Sequence, residues 1–401
     1  MKSGTPGFRG ARLVEARDAR RVSAVSLAER VGITRGAISQ YDKGLQTPRP
    51  EIMERLAEAL ELPIAFFLRE PEPSRTGTVY YRSLAAATKI VRTSALRRHE
   101  WLRHIAEWLQ TMVDIPRVDF PDFQPPVEPA LISEHIERFA QMARRHWSMN
   151  DGPISNVIWL LENKGAVVSL CDFGSEDLDA FSECGRSNFE PFVSVSSSKT
   201  LTARANFTAA HELGHLLLHR NVPENVAWSA AQHKEMEKQA NDFASAFLLP
   251  EATFLGAVRH PSLDLFRALK ATWRVSIGAM IMRSYSLNMI NEEQYHRLWI
   301  AYAKRGWKHG EPLDDMLDHG GPRALRRAFE LLINEKVLSR DMVRDSLPYA
   351  TRDIESLCGL DPGYLDERYA TNMVRLSPND PTNATVRTTP GALIQFRTRT
   401  K

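Results

Sequence analysis

The thirteen residues FTAAHELGHLLLH, at 207–219, constrain this chain more than any other stretch. His211 and His215 stand four apart, so on a helix both imidazoles project from one face and can hold one metal ion. Glu212, beside the first histidine, points at the same region from a slightly different angle. A general base belongs there if it is to take a proton from a metal-activated water. The plainer alternative is a pair of surface or core histidines on an ordinary helix.

Two nitrogen ligands hold zinc poorly, and a third is expected from the next helical stretch, EMEKQANDFASAFLLPE at 235–251. Glu237 and Asn241 share a face there, four residues apart. The carboxylate closes the ligand set, and the amide is placed to hold the second ring nitrogen of a ligand histidine. Glu235 and Asp242 are rivals. Glu235 lies about 200° round the helix from Glu237, and Asp242 is adjacent to the position expected for Asn241. His219 continues the four-residue spacing, but it lies about 12 Å along a straight helix from His211, too far for one ion. It reads as a helix-end histidine.

Taken together, FTAAHELGHLLLH and EKQANDFASAFLLP resemble the ImmA/IrrE family of zinc metallopeptidases, whose pattern pairs HExxH with E-x-x-A-N/D-x-F-A and a terminal L-P. The resemblance runs from about residue 131 to 255. It extends through 262–290, LDLFRALKATWRVSIGAMIMRSYSLNMI apart from its first residue, which is similar to a helical appendage of these proteins. It implies His211, His215 and Glu237 as zinc ligands and Glu212 as catalytic base in a gluzincin-like endopeptidase. It also implies an intracellular protein that cuts a repressor or antitoxin-type partner under stress. Zinc would lower the pKa of a bound water towards ~7 and polarise the scissile carbonyl, while Glu212 moves the proton to the leaving amine. FVSVS, at 192–196, is expected to line the cleft as an edge strand for an extended peptide. His233, His260 and Tyr285 are unranked candidates for stabilising the oxyanion.

A second pattern occupies the N-terminal part. In SAVSLAERVGITRGAISQYDKGLQTPRPEIMERLAEALEL a helix over about 24–30 ends at Gly32, and Thr34 caps a following helix to about Asp42. The inside positions Leu27, Ala28, Val31, Ile33, Ile38 and Tyr41 are apolar. Thr34, Arg35, Gly36, Ser39 and Gln40 face outward and are small, polar or basic. Such a helix start fits a major groove, with Arg35 and Gln40 on base edges and Ser39, Lys43 or Arg49 on phosphates. Residues 9–68 resemble the lambda-repressor-like, XRE-type helix-turn-helix, which implies double-stranded DNA as partner. The alternative is a helical unit used only for protein contacts. Ala24 sits where many such domains place a polar groove contact. Affinity is therefore expected to be modest unless two copies bind together as a homodimer.

Charge agrees with a polyanion partner. The whole chain of 401 residues carries only +3, but the first fifty residues hold ten Lys/Arg against four Asp/Glu. The basic character continues into a long helix predicted over Thr93–Val113, where Trp101 and Trp108 belong to a core or to a dimer contact. Five prolines between 114 and 130 mark a stiff linker. Strand-like runs are AVVSL (166–170), LDAFS (178–182), FVSVS and a short TVYYRS (78–83). Three scattered cysteines, Cys171, Cys184 and Cys358, form no CxxC pair, which fits a reducing cytoplasm. No apolar run of about 18 residues exists, so neither a membrane span nor a membrane partner is expected. The start lacks the apolar stretch of a secretion signal.

The expected fold is multidomain: an all-α helix-turn-helix at 7–70, a basic helix and Pro-rich linker at 71–130, and an α+β zincin-like peptidase domain at 131–255. An all-α C-terminal region follows at 256–375, with helix starts near Gly321, Ser339 and Thr351, and then a mobile tail at 376–401. The expected function is a DNA-binding zinc metalloendopeptidase that cleaves a repressor or antitoxin-like protein in stress-linked or mobile-element gene regulation. The alternative is an XRE-type transcriptional regulator, or an antitoxin, whose zinc domain does not cleave.

Overall fold

The computed structural model describes residues 4–71, 78–79, 88–123, 133–175, 178–184, 190–197, 202–220, 229–314, 320–366 and 397–398. Expectations that fall on residues 80–83, on Pro125, Pro126 and Pro129, and on most of the 376–401 tail lie outside them. The N-terminal part is helical, the middle holds a small mixed sheet with helices, and the C-terminal part is helical again.

Five helices open the chain: α1 (Gly10–Arg20), α2 (Ala24–Val31), α3 (Arg35–Asp42), α4 (Pro50–Leu60) and α5 (Ile64–Leu68). Ser23 and Thr34 start α2 and α3, their hydroxyls accepting the Ser26 and Ala37 amides, each at 3.1 Å. Gly32, at φ 70°, turns the chain between them in a backbone region that side chains disfavour. A long helix, α6 (Lys89–Gln110), buries Trp101, Leu102, Ile105 and Leu109 along one stripe. Trp101 is buried beside Tyr349, and the half-buried Trp108 packs against Phe329 with ring centroids 6.2 Å apart.

The sheet comprises β1 (Thr78–Val79), β3 (Val167–Cys171), β4 (Ala180–Cys184) and β5 (Pro191–Ser196), in the order β1-β4-β5-β3. β3 and β5 are parallel, and β4 runs antiparallel to β5. The FVSVS strand, β5, is therefore interior, bonded to β3 on one side and β4 on the other. This corrects its expected place at an edge: its apolar residues face two cores, so it needs cover on both faces. A second pairing joins β2 (Val113–Asp114) to β6 (Arg397–Thr398), so two residues near the C-terminus, where a mobile tail was expected, are held in a strand pair.

Two helices precede β3, namely α7 (Ser133–His146) and α8 (Val157–Asn163). After β5 come α9 (Thr202–Leu218), α10 (Ala230–Leu248), α11 (Glu251–Ala257), α12 (Leu263–Trp273), α13 (Ile277–Ser286), α14 (Glu292–Lys304), α15 (Ala324–Asn334), α16 (Arg340–Ser346) and α17 (Thr351–Cys358). Strand side chains alternate, and each face of the sheet meets a different core. Val167, Cys171, Phe181 and Phe192 pack with α1–α6 and α15–α17. Val168, Ala180, Val193 and Val195 pack with α7–α13. The N-terminal helices thus share a core with the far C-terminal ones. Arg20 on α1 donates to Asp353 on α17 at 2.7 and 2.5 Å, and Arg69 donates to the Asp345 carbonyl at 2.7 Å.

All three cysteines are free thiols. No helix among the described residues is long and apolar enough to cross a membrane.

Candidate functional site

The helices α9 and α10 pack closely because Gly214 faces Ala240. A Cβ on Gly214 would come within 3.2 Å of the Ala240 backbone. That approach brings His211 and His215 on one helix against Glu237 on the other. The two Nε2 atoms are 3.1 Å apart, and Glu237 oxygens lie 3.0 Å from His211 Nε2 and 3.2 Å from His215 Nε2. One ligand atom from each residue lies within 4.8 Å of the others. Atoms about 2.0–2.2 Å from a tetrahedral ion sit about 3.3 Å apart, so the donor set fits a divalent cation. Burial pushes the Glu237 carboxyl up, but hydrogen bonds from and charges on His211 and His215 outweigh it and hold it far below the usual carboxylate range. It stays anionic, as a cation ligand must.

Both rings are held from behind. His211 Nδ1 lies 3.0 Å from Asn241 Oδ1, and only the ring can donate there. His215 Nδ1 lies 2.9 Å from His219 Nδ1, and His219 Nε2 lies 3.1 Å from Gln239 Oε1. Gln239 in turn donates to Glu235 at 3.4 Å. Glu235 accepts only, so the chain has one direction. Gln239 presents its oxygen to His219, His219 accepts at Nδ1, and His215 donates from Nδ1. With a cation between them and Glu237, both rings would therefore turn an Nε2 lone pair to it. Burial, with the neighbouring His215, pushes His219 down to about 3, so it stays neutral and keeps its accepting nitrogen.

Glu212 is buried, and its Oε2 accepts a 2.6 Å hydrogen bond from Ser182 on β4. Burial raises its carboxyl above the ordinary value, against the opposing pull of His215, His211 and Ser182. A carboxylate with raised proton affinity suits a general base. His211, Glu212, Glu237 and Asn241 all line a cavity of about 640 Å³. Its far wall comes from α13, α14 and the segment 307–314, including Trp299, Tyr302, Trp307, Lys308 and His309. His233, His260 and Tyr285 are exposed and are not among the residues lining it, and Tyr285 packs at a tilt on Tyr295 with ring centroids 4.6 Å apart.

Residues 161–285 match the family model of the M78 peptidases, described as an IrrE N-terminal-like domain. Residues 13–67 match a helix-turn-helix model. The chain joins a helix-turn-helix domain to an IrrE N-terminal-like peptidase domain. No curated protein matches it. The peptidase-family match starts at 161, inside α8, and ends within α13, so it takes in α12 and most of the appendage. Helix α7 precedes the matched span, yet Ile136, Ala140 and Ala143 on it belong to the core of the IrrE-like domain.

In the helix-turn-helix domain, α3 buries Ile38 and Tyr41 and is tied to α1 by Arg17, which donates to Asp42 at 2.8 Å. Thr34, Arg35, Gly36, Gln40, Lys43 and Arg49 are exposed, and Ser39 is half-buried on the same side. Ala24, at the start of α2, packs partly against the core.

Three contributors escaped sequence reasoning. His219 carries a visible signal, its four-residue spacing from His215, but its distance from His211 excludes it as a ligand and spacing alone shows no role behind the ring. Ser182 carried none, since strand register decides which of two faces a residue meets. The wall at 299–314 carried none either, because its helices fold back over the cavity from far along the chain.

Proposed function

We propose that the chain is a DNA-tethered zinc endopeptidase that cuts a partner regulator, a repressor or antitoxin-like protein, in stress-linked or mobile-element gene control. One observation carries the reading: His211, His215 and Glu237 converge within 4.8 Å beside a buried glutamate that Ser182 orients. A purely structural zinc site closes its fourth position with a protein ligand and has no use for a base there.

Zinc, when bound, supplies Lewis acidity to the scissile carbonyl and to water. His211 and His215 would hold it through Nε2, and Glu237 would add the anionic ligand. Asn241 and His219 keep the two rings aimed. Glu212 takes the proton of the attacking water and passes it to the leaving amine. Ser182 fixes Oε2 of that carboxylate and leaves Oε1 for the transfer.

At the other end, α3 enters the major groove of double-stranded DNA. Arg35 and Gln40 read base edges, Thr34 and Gly36 lie against the groove wall, and Ser39, Lys43 and Arg49 meet phosphates. The exposure of this face supports the assignment.

The test is metal content by mass spectrometry, followed by incubation with the products of neighbouring genes. Glu212→Gln is expected to keep zinc and lose cleavage, whereas His211→Ala loses both. Proteolysis retained by purified Glu212→Gln protein overturns the assignment. DNA affinity that barely changes with added salt counts against the groove contact.

A further inference from the structure

The cavity beside Glu212 is lined by two cations that form no ion pair among the described residues, Arg204 and Lys308, both exposed. The acidic side chains opposite are already engaged. Glu311 and Asp314 both bind the fully buried ammonium of Lys270, at 2.7 and 2.6 Å. Glu311 also accepts from the Ile277 amide at 2.8 Å, the Gly278 amide at 3.0 Å and the Tyr302 hydroxyl at 3.0 Å. These bonds pin the segment carrying Lys308 against α12, α13 and α14. Glu237 is engaged with the histidine pair, Glu212 accepts from Ser182, and Asp179 stands where β4 borders the cavity. On the same lining, the buried Trp299 Nε1–H has no acceptor among the described residues. The outer part of the cavity therefore offers donors and two cations that no carboxylate among the described residues holds.

Position along α9 sets the distance. Arg204, Thr208, His211 and His215 follow at intervals of four, three and four, and so share one helix face. Arg204 precedes His211 by about 10 Å at ~1.5 Å per residue. An extended peptide advances ~3.3 Å per residue, so the same span takes about three residues. Phe207, Met282 and Trp307 offer apolar contact over that interval.

Resting on the endopeptidase reading, we propose that this cavity selects peptide segments with an Asp or Glu about three residues from the bond to be cut, its carboxylate held by Arg204 and Lys308.

The test uses the full chain, zinc-loaded and silenced by Glu212→Gln. Two pools of fluorescein-labelled dodecapeptides are compared, with identical apolar centres and either Glu or Gln three residues from the centre on both sides. Anisotropy titration is expected to show the Glu pool binding about tenfold more tightly, a preference that shrinks with salt. Adding Arg204→Gln and Lys308→Gln, with zinc content as the check on folding, removes it. Equal binding of the two pools by the Glu212→Gln protein overturns the proposal. So does a Glu preference that survives both cation substitutions. Cutting by the wild-type chain is read separately. Cutting without an acidic preference sinks the selectivity alone, whereas Glu-selective binding with no cutting keeps the cation pair and removes the hydrolase.

Discussion

The Nδ1 atoms of His215 and His219 lie 2.9 Å apart, and the second ring is locked in turn by Gln239. The pair makes one proton's position decide whether His215 can be a ligand at all. If His219 could not accept at Nδ1, the His215 proton would have no fixed place, and Nε2 would carry it part of the time. His219→Leu is therefore expected to leave the helices in place and weaken zinc binding about 10–100-fold, the usual cost of losing such a support. Competition with a chromogenic chelator measures it. Unchanged affinity would show that His215 needs no partner.

Ser182 acts on the neighbouring group and should separate metal binding from chemistry. Its hydroxyl is a buried donor to a carboxylate, a bond worth ~1.5–3 kcal/mol. Ser182→Ala is expected to keep one zinc per chain while kcat/KM for a cleaved peptide falls about 10–100-fold. A loss of zinc instead would mean that the hydroxyl supports the helix pair rather than the base.

What the sequence revealed was whatever helical period alone determines. His211 and His215 share a face whatever else the chain does, and so do Glu237 and Asn241, so both halves of the candidate metal centre are legible residue by residue. The caps at Ser23 and Thr34 and the turn at Gly32 are equally local, which made the helix-turn-helix readable. Contacts that depend on how elements assemble left no such trace. Ser182 and Glu183 are neighbours on β4, yet one reaches Glu212 and the other binds His99 at 2.5 Å on the opposite face of the sheet. Nothing in LDAFSEC says which is which. FVSVS reads as a strand, but its interior place follows from β3 and β4 pairing on either side of it. The core shared by α1–α6 and α15–α17 depends on long-range contacts such as Arg20 with Asp353, which no local pattern encodes.

Glu162 gives the fold a pH signature. It is buried on α8, where its carboxylate accepts the Arg323 and Ala324 amides at the start of α15, each at 2.9 Å. Burial nevertheless dominates and pushes the carboxyl up to about 7. The folded chain therefore binds this proton more tightly than the unfolded chain, whose value is the ordinary 4.5. The stability it contributes is fully present below about 4.5 and is lost as pH rises through about 7, on the order of 3 kcal/mol in all. Unfolding midpoints measured from pH 4.5 to 8 should fall more steeply for the wild type than for Glu162→Gln. Parallel curves would assign the slope to other groups.

Gly36 separates stability from recognition. A Cβ built there meets nothing closer than the Thr34 hydroxyl at 3.7 Å, an ordinary contact, so the protein's own packing does not call for glycine. Glycine inside a helix costs about 0.5–1 kcal/mol relative to alanine. An exposed helical glycine that packing does not require fits a place where another molecule's backbone comes close, here the wall of a DNA groove. Gly36→Ala is expected to raise the unfolding midpoint of the helix-turn-helix domain and to weaken DNA binding, with zinc content untouched. Filter binding at two salt concentrations and a thermal melt decide it. A variant that is more stable and binds DNA as well as the wild type would remove Gly36 from the groove-facing surface and leave that assignment to Arg35 and Gln40.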